Sequence, residues 1–490
     1  MTAPFSLPKE IRDTLLSLHE AGFEAYIVGG CVRDLLRDAK PKDWDIATNA
    51  HPEDIQRIFS HSFYENDYGT VGVVHDAASD ETLRVVEVTP YRIEGKYEDG
   101  RRPSEVQWSD NLEDDLSRRD FTANAICYDA EKKRLIDPYG GKKDIENKIL
   151  RTVGDPNARF SEDYLRMLRA VRLAAELGFS IEEKTREAIR KNADRLKIIS
   201  AERIRDEFSK ILLSGNPKEG IELAHKLGVL RHIVPELEEG IGVEQNGDHI
   251  YTVWEHNLRA LQHAADRGWP LYIRLAALFH DISKPETRRW SKEKNDWTFY
   301  GHDVVGARVA ARIMKRLRYG KEDTEKVRKL VRHHLFFTDI DKITLSAVRR
   351  IVRNVGPDLV WDLMKVRACD RIGMGRPKEK PYRLRKYEAM IEEAMRAPVS
   401  VGMLKIDGET LMKETGEKPG PRVGWILHAL LEEVLDDPSK NDAGALVSRA
   451  KELSALPDEK LRALGEAGKE KKEKEEEKEV EKIRRRHGVR

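Results

Sequence analysis

The chain has 490 residues, 39% of them hydrophobic and 36% charged, with a formal net charge of +1. That length exceeds one compact domain and predicts roughly two to four, while the near-zero net charge leaves the question of nucleic acid to how the charges cluster. Cys31, Cys127 and Cys369 stand far apart with no paired spacing, against a disulfide framework or a structural zinc site. No apolar run reaches membrane-spanning length and no signal-peptide pattern opens the sequence, so a cytoplasmic enzyme with no membrane partner is the expectation.

Over residues 8–21, Ile11, Leu15, Leu16 and Leu18 predict a helical face ended by Gly22. Residues 25–28 read as a short buried strand, which Gly29 and Gly30 turn sharply into a short helix from Val32. A strand over residues 43–47 would place Asp43 and Asp45 on one face, where two carboxylates suit magnesium (Mg2+) with substrate phosphates completing its shell. A solvated turn is the plainer reading of such a pair alone. Residues 51–60 predict a helix with Pro52 in its first turn. Residues 71–74 and 83–88 predict paired strands, the second carrying Glu87 either to solvent or beside Asp43 and Asp45 as a third carboxylate. Residues 92–112, charged and aperiodic, predict a mobile loop, and residues 125–128 and 134–136 a last hairpin.

From about Asn147 the period turns helical. The fold class expected is therefore an α+β head, a small mixed sheet with helices, followed by all-α neck, body and further helical domains. The segments are 1–148 for the head, 149–240 for a neck and body, 241–375 for a second helical domain, 376–468 for a helical tail domain and 469–490 for a charged tail. That last run has almost no apolar residues and reads as a frayed helix or a disordered end.

Two clusters of charge stand out. RRDFTANA, residues 118–125, sets guanidinium groups, a carboxylate and an amide ahead of a strand, suited to phosphates and a ribose or else to a surface salt-bridge cluster. In residues 162–172, Arg166, Arg169 and Arg172 recur every third position, a helical stripe beginning at Asp163 that faces either a ligand or solvent.

GGCVRD (29–34), DWDIAT (43–48), RRDFTANA, DPYGG (137–141) and EDYLRMLRAVRLAAELGF (162–179), in this order and spacing, resemble the class II tRNA nucleotidyltransferases of the polymerase β superfamily. These are the bacterial CCA-adding enzymes and their poly(A) polymerase relatives. The resemblance implies that Asp43 and Asp45 bind magnesium and activate the terminal ribose hydroxyl. It implies that Gly29, Gly30, Arg33 and Asp34 serve the triphosphate, with Arg119, Asp120 and Asn124 supporting the nucleotide and its sugar. Asp163 and Arg166 would read the Watson–Crick edge of CTP or ATP, with Arg169 and Arg172 completing the site. The residues 92–103 resemble the basic loop of the enzymes that add the final A.

A second resemblance, to the HD phosphohydrolases, rests on His256, His280-Asp281, His302, His334 and Asp370, with FHDISKP at 279–285. It implies one metal on His256, His280, Asp281 and Asp370, and a second metal or phosphate on His302 and His334. Imidazole with carboxylate suits manganese, nickel or iron.

Three functions follow: a CCA-adding or A-adding tRNA nucleotidyltransferase with an appended HD domain, a poly(A) polymerase on the same head, and an HD phosphohydrolase or RNA-binding protein with a vestigial head. The first is favoured, because both aspartates and the arginine stripe are intact. The segment YGTVG, residues 68–72, also resembles the CCA enzymes. The partners implied are the tRNA acceptor end, CTP and ATP, and the chain would act as a monomer or homodimer.

Overall fold

The structure, a computed structural model, describes residues 5–64, 69–94, 97–98, 102–103, 106–247, 249–335, 343–396 and 400–489. The chain packs as two compact units, Met1–His334 with Lys365–Pro377, and Leu335–Met364 with Lys378–Arg490.

The first unit opens on a seven-stranded sheet in the order Arg134–Ile136, Cys127–Asp129, Ala25–Val28, Asp45–Thr48, Val85–Pro90, Val71–Val74, Ser62–Tyr64. Only Asp45–Thr48 and Val85–Pro90 run parallel, with Asp45 opposite Glu87. Ala25–Val28 is apolar because it lies inside the sheet, paired on one edge with Cys127–Asp129 and on the other with Asp45–Thr48. A strand covered on both faces reads as a continuous apolar run.

Several expectations need correction. Asp43 falls before the strand that begins at Asp45, so the two aspartates are not partners on one strand face. Leu83 sits in a short 3-10 turn, Glu81–Leu83, ahead of its strand, and the edge strand Ser62–Tyr64 was not expected. The predicted loop at 92–112 instead contains antiparallel pairs, Arg92–Glu94 with Val106–Trp108 and Tyr97–Glu98 with Arg102–Pro103. Strands of two or three residues are too short to carry an alternation to read, and the pairing itself defines them. Tyr68 of the YGTVG segment, residues 95–96 and 99–101 of the expected basic loop, and residues 104–105 just after it lie outside the described residues.

In the helical region, Pro156–Glu162 and Arg166–Leu177 are separate helices, and Asp163 is extended between them (φ −145°, ψ 105°). The Asp163 carboxylate accepts the Leu165 N–H at 3.0 Å, a local turn that competes with helix. The arginine stripe therefore starts at Arg166. Gly178 ends its helix in the left-handed conformation (φ +66°). Ala201–Leu213 packs against this helix. Beyond it, Val253–Asp266 opens on a capping box in which Thr252 and Glu255 bond each other's backbone N–H. Leu271–Phe279 is apolar and buried along most of its length. Between this helix and His302–Arg316 lies an unexpected hairpin, Arg289–Ser291 with Asp296–Thr298.

The second unit is helical, with a core of Leu411, Ile426, Leu430, Leu431 and Leu461 among others. Its last helix runs Asp458–Arg486, so the charged tail is helical and docked, not an end that buries nothing. Gly465 and Gly468 let it press on the backbone of Trp425 and His428, while Ile483 and Val489 are buried with Ala389. Ion pairs from Lys471 to Asp436 and from Arg396 to Glu476 hold its charged middle. The three cysteines are free and buried. Among the described residues, no helix is long and apolar enough to cross a membrane.

Candidate active site and metal centre

Gly29 turns the chain at φ +82°, and a Cβ there would stand 2.9 Å from Arg119 Nη1 and 3.5 Å from Asp45 Oδ2. At Gly30 the same atom would stand 3.7 Å from Asp43 Oδ1. Both aspartates thus reach the glycine turn from different backbone settings, one in a bend and one on a strand. The cradle between them exists because neither glycine has a side chain. Two carboxylates and open space beside them suit a hard divalent cation.

Behind the turn a chain of polar contacts orders the side chains that line the adjoining cavity. Arg33 donates to Asp34 Oδ1 at 2.9 Å and to Asn124 Oδ1 at 2.8 Å. Asn124 Nδ2 donates to Asp120 Oδ1 at 3.1 Å, and Arg169 donates to Asp120 Oδ2 through Nε at 2.8 Å and Nη2 at 2.6 Å. Burial pushes the Asp120 carboxyl up, but Arg169, the Asn124 amide and Arg166 more than reverse this and hold it well below the usual carboxylate range. Arg119 donates twice to Asp115 Oδ2, at 3.1 and 2.9 Å, and Arg118 also bonds this buried carboxylate. Burial raises the Asp115 carboxyl, and Arg119 and Arg118 bring it below its ordinary value.

The arginines of the stripe are clamped by carboxylates. Arg166, 9% exposed, pairs with Glu162 and donates to the carbonyls of Arg159 and Arg118 at 3.1 and 3.2 Å. Arg169 holds Asp120, and Arg172 stands 3.0 Å from Glu207. Asp163 accepts from Arg203 Nη2 at 2.6 Å. Sequence reading missed Asp115, Arg203 and Glu207. The i+3 and i+4 spacing of Asp115 to Arg118 and Arg119 was a local signal, whereas Arg203 and Glu207 carried none.

Gly29, Gly30, Arg33, Asp34, Asp43, Asp45, Arg119, Asp120, Asn124, Asp163, Arg166, Arg169 and Arg172 all line one cavity of about 940 Å³. Glu87, in register with Asp45 on the neighbouring strand, is not part of its lining. Among the described residues the three carboxylates Asp43, Asp45 and Glu87 do not gather as a ligand cluster.

A second constellation is fully buried. His256, His280, Asp281 and Asp370 offer ligand atoms that all lie within 4.8 Å of one another, and Asp281, His302 and His334 form a second such group. The Nδ1 atoms of His280, His302 and His334 lie 2.7, 2.6 and 2.7 Å from the carbonyls of Ala277, Phe299 and Val331. A carbonyl only accepts, so Nδ1 carries the proton and each Nε2 lone pair faces the cluster. Nε2 of His302 and of His334 is buried and makes no well-formed hydrogen bond, although each stands near Asp281 Oδ1, at 3.2 and 3.5 Å; lone pairs gathered round one carboxylate suit a shared cation. Burial would raise both aspartates, but Lys284 with His280 at Asp281, and Arg367 with His256 and His280 at Asp370, hold them well below the usual range. Lys284, 2.6 Å from Asp281, and Arg367 were also missed from sequence. The mixed nitrogen and oxygen donor set fits a divalent transition metal.

Three family models match the chain. They are the poly A polymerase head domain over residues 25–151, the probable RNA and SrmB-binding site of polymerase A over 178–241, and the HD domain over 249–383. A CCA-adding enzyme of Lactobacillus delbrueckii subsp. bulgaricus is 33% identical over 434 residues, 88% of this chain and 94% of the relative. An A-adding tRNA nucleotidyltransferase of Deinococcus radiodurans is 34% identical over 424 residues, 83% of this chain and 91% of the relative. The crystal structure of the Bacillus stearothermophilus CCA-adding enzyme in complex with CTP superposes with a TM-score of 0.56 at 27% identity, covering 92% of this chain and 98% of that one. With identity above 30% along nearly the whole length of such relatives, the chain belongs to the tRNA nucleotidyltransferase family of the CCA-adding enzymes.

Proposed function

We propose that this chain completes the 3′ end of tRNA by adding CMP and AMP from CTP and ATP, without a nucleic-acid template, to give CCA. The observation that carries the reading is the single cavity in which Asp43 and Asp45 share one space with the clamped row Asp163, Arg166, Arg169 and Arg172. The terminal ribose 3′-hydroxyl attacks the α-phosphate in line and pyrophosphate leaves. Asp43 and Asp45 would hold magnesium, which when bound stabilises charge on the attacking and leaving oxygens. Gly30 lets the backbone approach the triphosphate, and Arg33 and Arg119, already oriented by Asp34 and Asp115, present guanidinium donors beside it. Asp120 and Asn124 lie near the sugar. Asp163 and Arg166 meet the base, and Glu87 supports Asp45 from the adjacent strand.

The test is incubation of the purified chain with tRNA lacking its end, CTP and ATP. All three nucleotides should be added. Extension that starts only from a CC end would favour the A-adding reading, which the Deinococcus radiodurans relative supports at 34% identity against 33% for the Lactobacillus delbrueckii CCA-adding enzyme. Long untemplated A tails would mark a poly(A) polymerase.

For the buried His and Asp cluster, the reading is a phosphohydrolase centre that uses manganese, nickel or iron held by His256, His280, Asp281 and Asp370. On this reading the chain works in the cytoplasm, as a monomer or homodimer, on the tRNA acceptor end.

A further inference from the structure

The two side chains at the base-reading end of the cavity are held in different ways. Arg166 is fixed by Glu162 and by two backbone carbonyls, those of Arg159 and Arg118. Asp163 lies in the extended link between two helices, so no helical backbone sets its rotamer. One of its oxygens accepts the Leu165 N–H at 3.0 Å, and the other accepts Arg203 Nη2 at 2.6 Å. The first contact is local to the turn. The second comes from 40 residues away, on the helix Ala201–Leu213, and it fixes the plane of the carboxylate.

That plane matters for choosing between bases. Cytosine and adenine present an exocyclic amino donor, whereas uracil and guanine carry a carbonyl acceptor at the corresponding position. A carboxylate offers acceptors only and a guanidinium offers donors only. Asp163 and Arg166 together therefore suit CTP and ATP and oppose UTP and GTP, provided the carboxylate is turned to meet the amino group. Arg203 also lines the cavity, with its side chain 31% exposed against 17% for Asp163, so the pair stands at the cavity wall.

We propose that Arg203 is a positioning residue for nucleobase selection, acting by holding the Asp163 carboxylate in the orientation that accepts the amino group of CTP or ATP. This rests on the reading of Asp163 and Arg166 as the base-reading pair. A merely structural ion pair at this exposure is worth little, and its loss would leave the ratio between nucleotides unmoved.

The experiment uses full-length Arg203→Ala, Arg203→Gln, Arg203→Lys and Asp163→Ala proteins. For each, kcat and KM are measured for CTP and UTP on tRNA lacking its end, and for ATP and GTP on tRNA ending in CC. Arg203→Ala should raise KM for CTP about tenfold and cut the preference for CTP over UTP about tenfold, the size of one charge-assisted hydrogen bond. Arg203→Lys should recover part of that preference, and KM for tRNA should stay within about twofold of wild type on the same argument. Arg203→Gln keeps much of the side chain and removes its charge, so it is read in the same way should Arg203→Ala not fold. If the Arg203 variants keep the wild-type preference while Asp163→Ala loses it, Arg203 does not position the carboxylate. If Asp163→Ala also keeps it, the base-reading assignment itself fails.

Discussion

Asp120 and Arg169 meet through two hydrogen bonds, Nε at 2.8 Å and Nη2 at 2.6 Å, both on Oδ2. This contact joins the RRDFTANA turn of the sheet region to the helix Arg166–Leu177, and through Asn124 and Arg33 it extends to the turn that faces Asp43 and Asp45. The glycine turn beside the two aspartates and the helix that carries the arginine stripe are therefore one hydrogen-bonded assembly.

The pair sets a pH-dependent contribution to stability. Asp120 is depressed in the folded chain, since Arg169 outweighs the effect of burial. Its contribution is fully present above the unfolded carboxylate value near ~3.9 and is lost as pH falls through the lower folded value. Asp120→Asn should lower the unfolding midpoint in urea at pH 7 by the equivalent of about 2 kcal/mol, less than the roughly 3–5 kcal/mol of a fully buried pair because Arg169 is 37% exposed. Below pH ~4 the gap between variant and wild type should narrow. A gap that is constant from pH 7 down to pH ~3 would contradict this account.

Asp43→Ala and Asp45→Ala should each reduce nucleotide incorporation by about a thousandfold, the several kcal/mol that metal-assisted charge stabilisation supplies. Glu87→Gln should cost less than either, because Glu87 is beside Asp45 in the sheet but not in the cavity lining. Single-turnover incorporation of labelled CMP measures all three. An Asp43→Ala protein with near wild-type turnover would remove the metal role assigned to the pair.

The buried histidine and aspartate cluster shares no residue with that cavity. His280→Ala should lower bound transition metal per chain, measured by elemental analysis after loading with manganese, nickel or iron, while CMP incorporation continues. Removing Nε2 of His280 deletes a donor that lies 2.8 Å from His256 Nε2. His302→Ala or His334→Ala should leave the first group intact and reduce occupancy only where two metals bind. Unchanged metal content in the His280→Ala protein would refute the centre.

In the second unit the last helix depends on close approach. A Cβ at Gly468 would stand 2.2 Å from the His428 carbonyl oxygen, and at Gly465 it would stand 2.6 Å from Trp425 backbone and side chain. Gly468→Val should destabilise this unit by about 1–3 kcal/mol through overpacking. Substituting an exposed glutamate of the same helix such as Glu470 should shift stability by less than about 0.5 kcal/mol. Thermal unfolding followed by circular dichroism separates the two, and equal shifts would show that the helix is not docked through its glycines.

The residues by themselves determined the short-range features and the identity of the chemistry-bearing groups. The apolar run at 25–28 and the glycine turn after it were legible because turn geometry depends on side chains a few positions apart, whereas the histidines and aspartates between His256 and Asp370, distant in sequence, were placed by their resemblance to the HD phosphohydrolases. What only the tertiary structure decided is which charges meet. Arg169 finds Asp120 from 49 residues away, and Arg203 finds Asp163 from 40. No periodicity encodes such pairs, since any of the many carboxylates in a chain that is 36% charged would satisfy an arginine equally well in sequence. The same holds for the final helix, whose charged run reads as unable to bury anything. Its docking comes from two glycines and a few apolar residues meeting a surface that exists only once the unit has folded. Packing chooses among locally equivalent partners, and that choice turned a row of arginines into a clamped wall of the cavity.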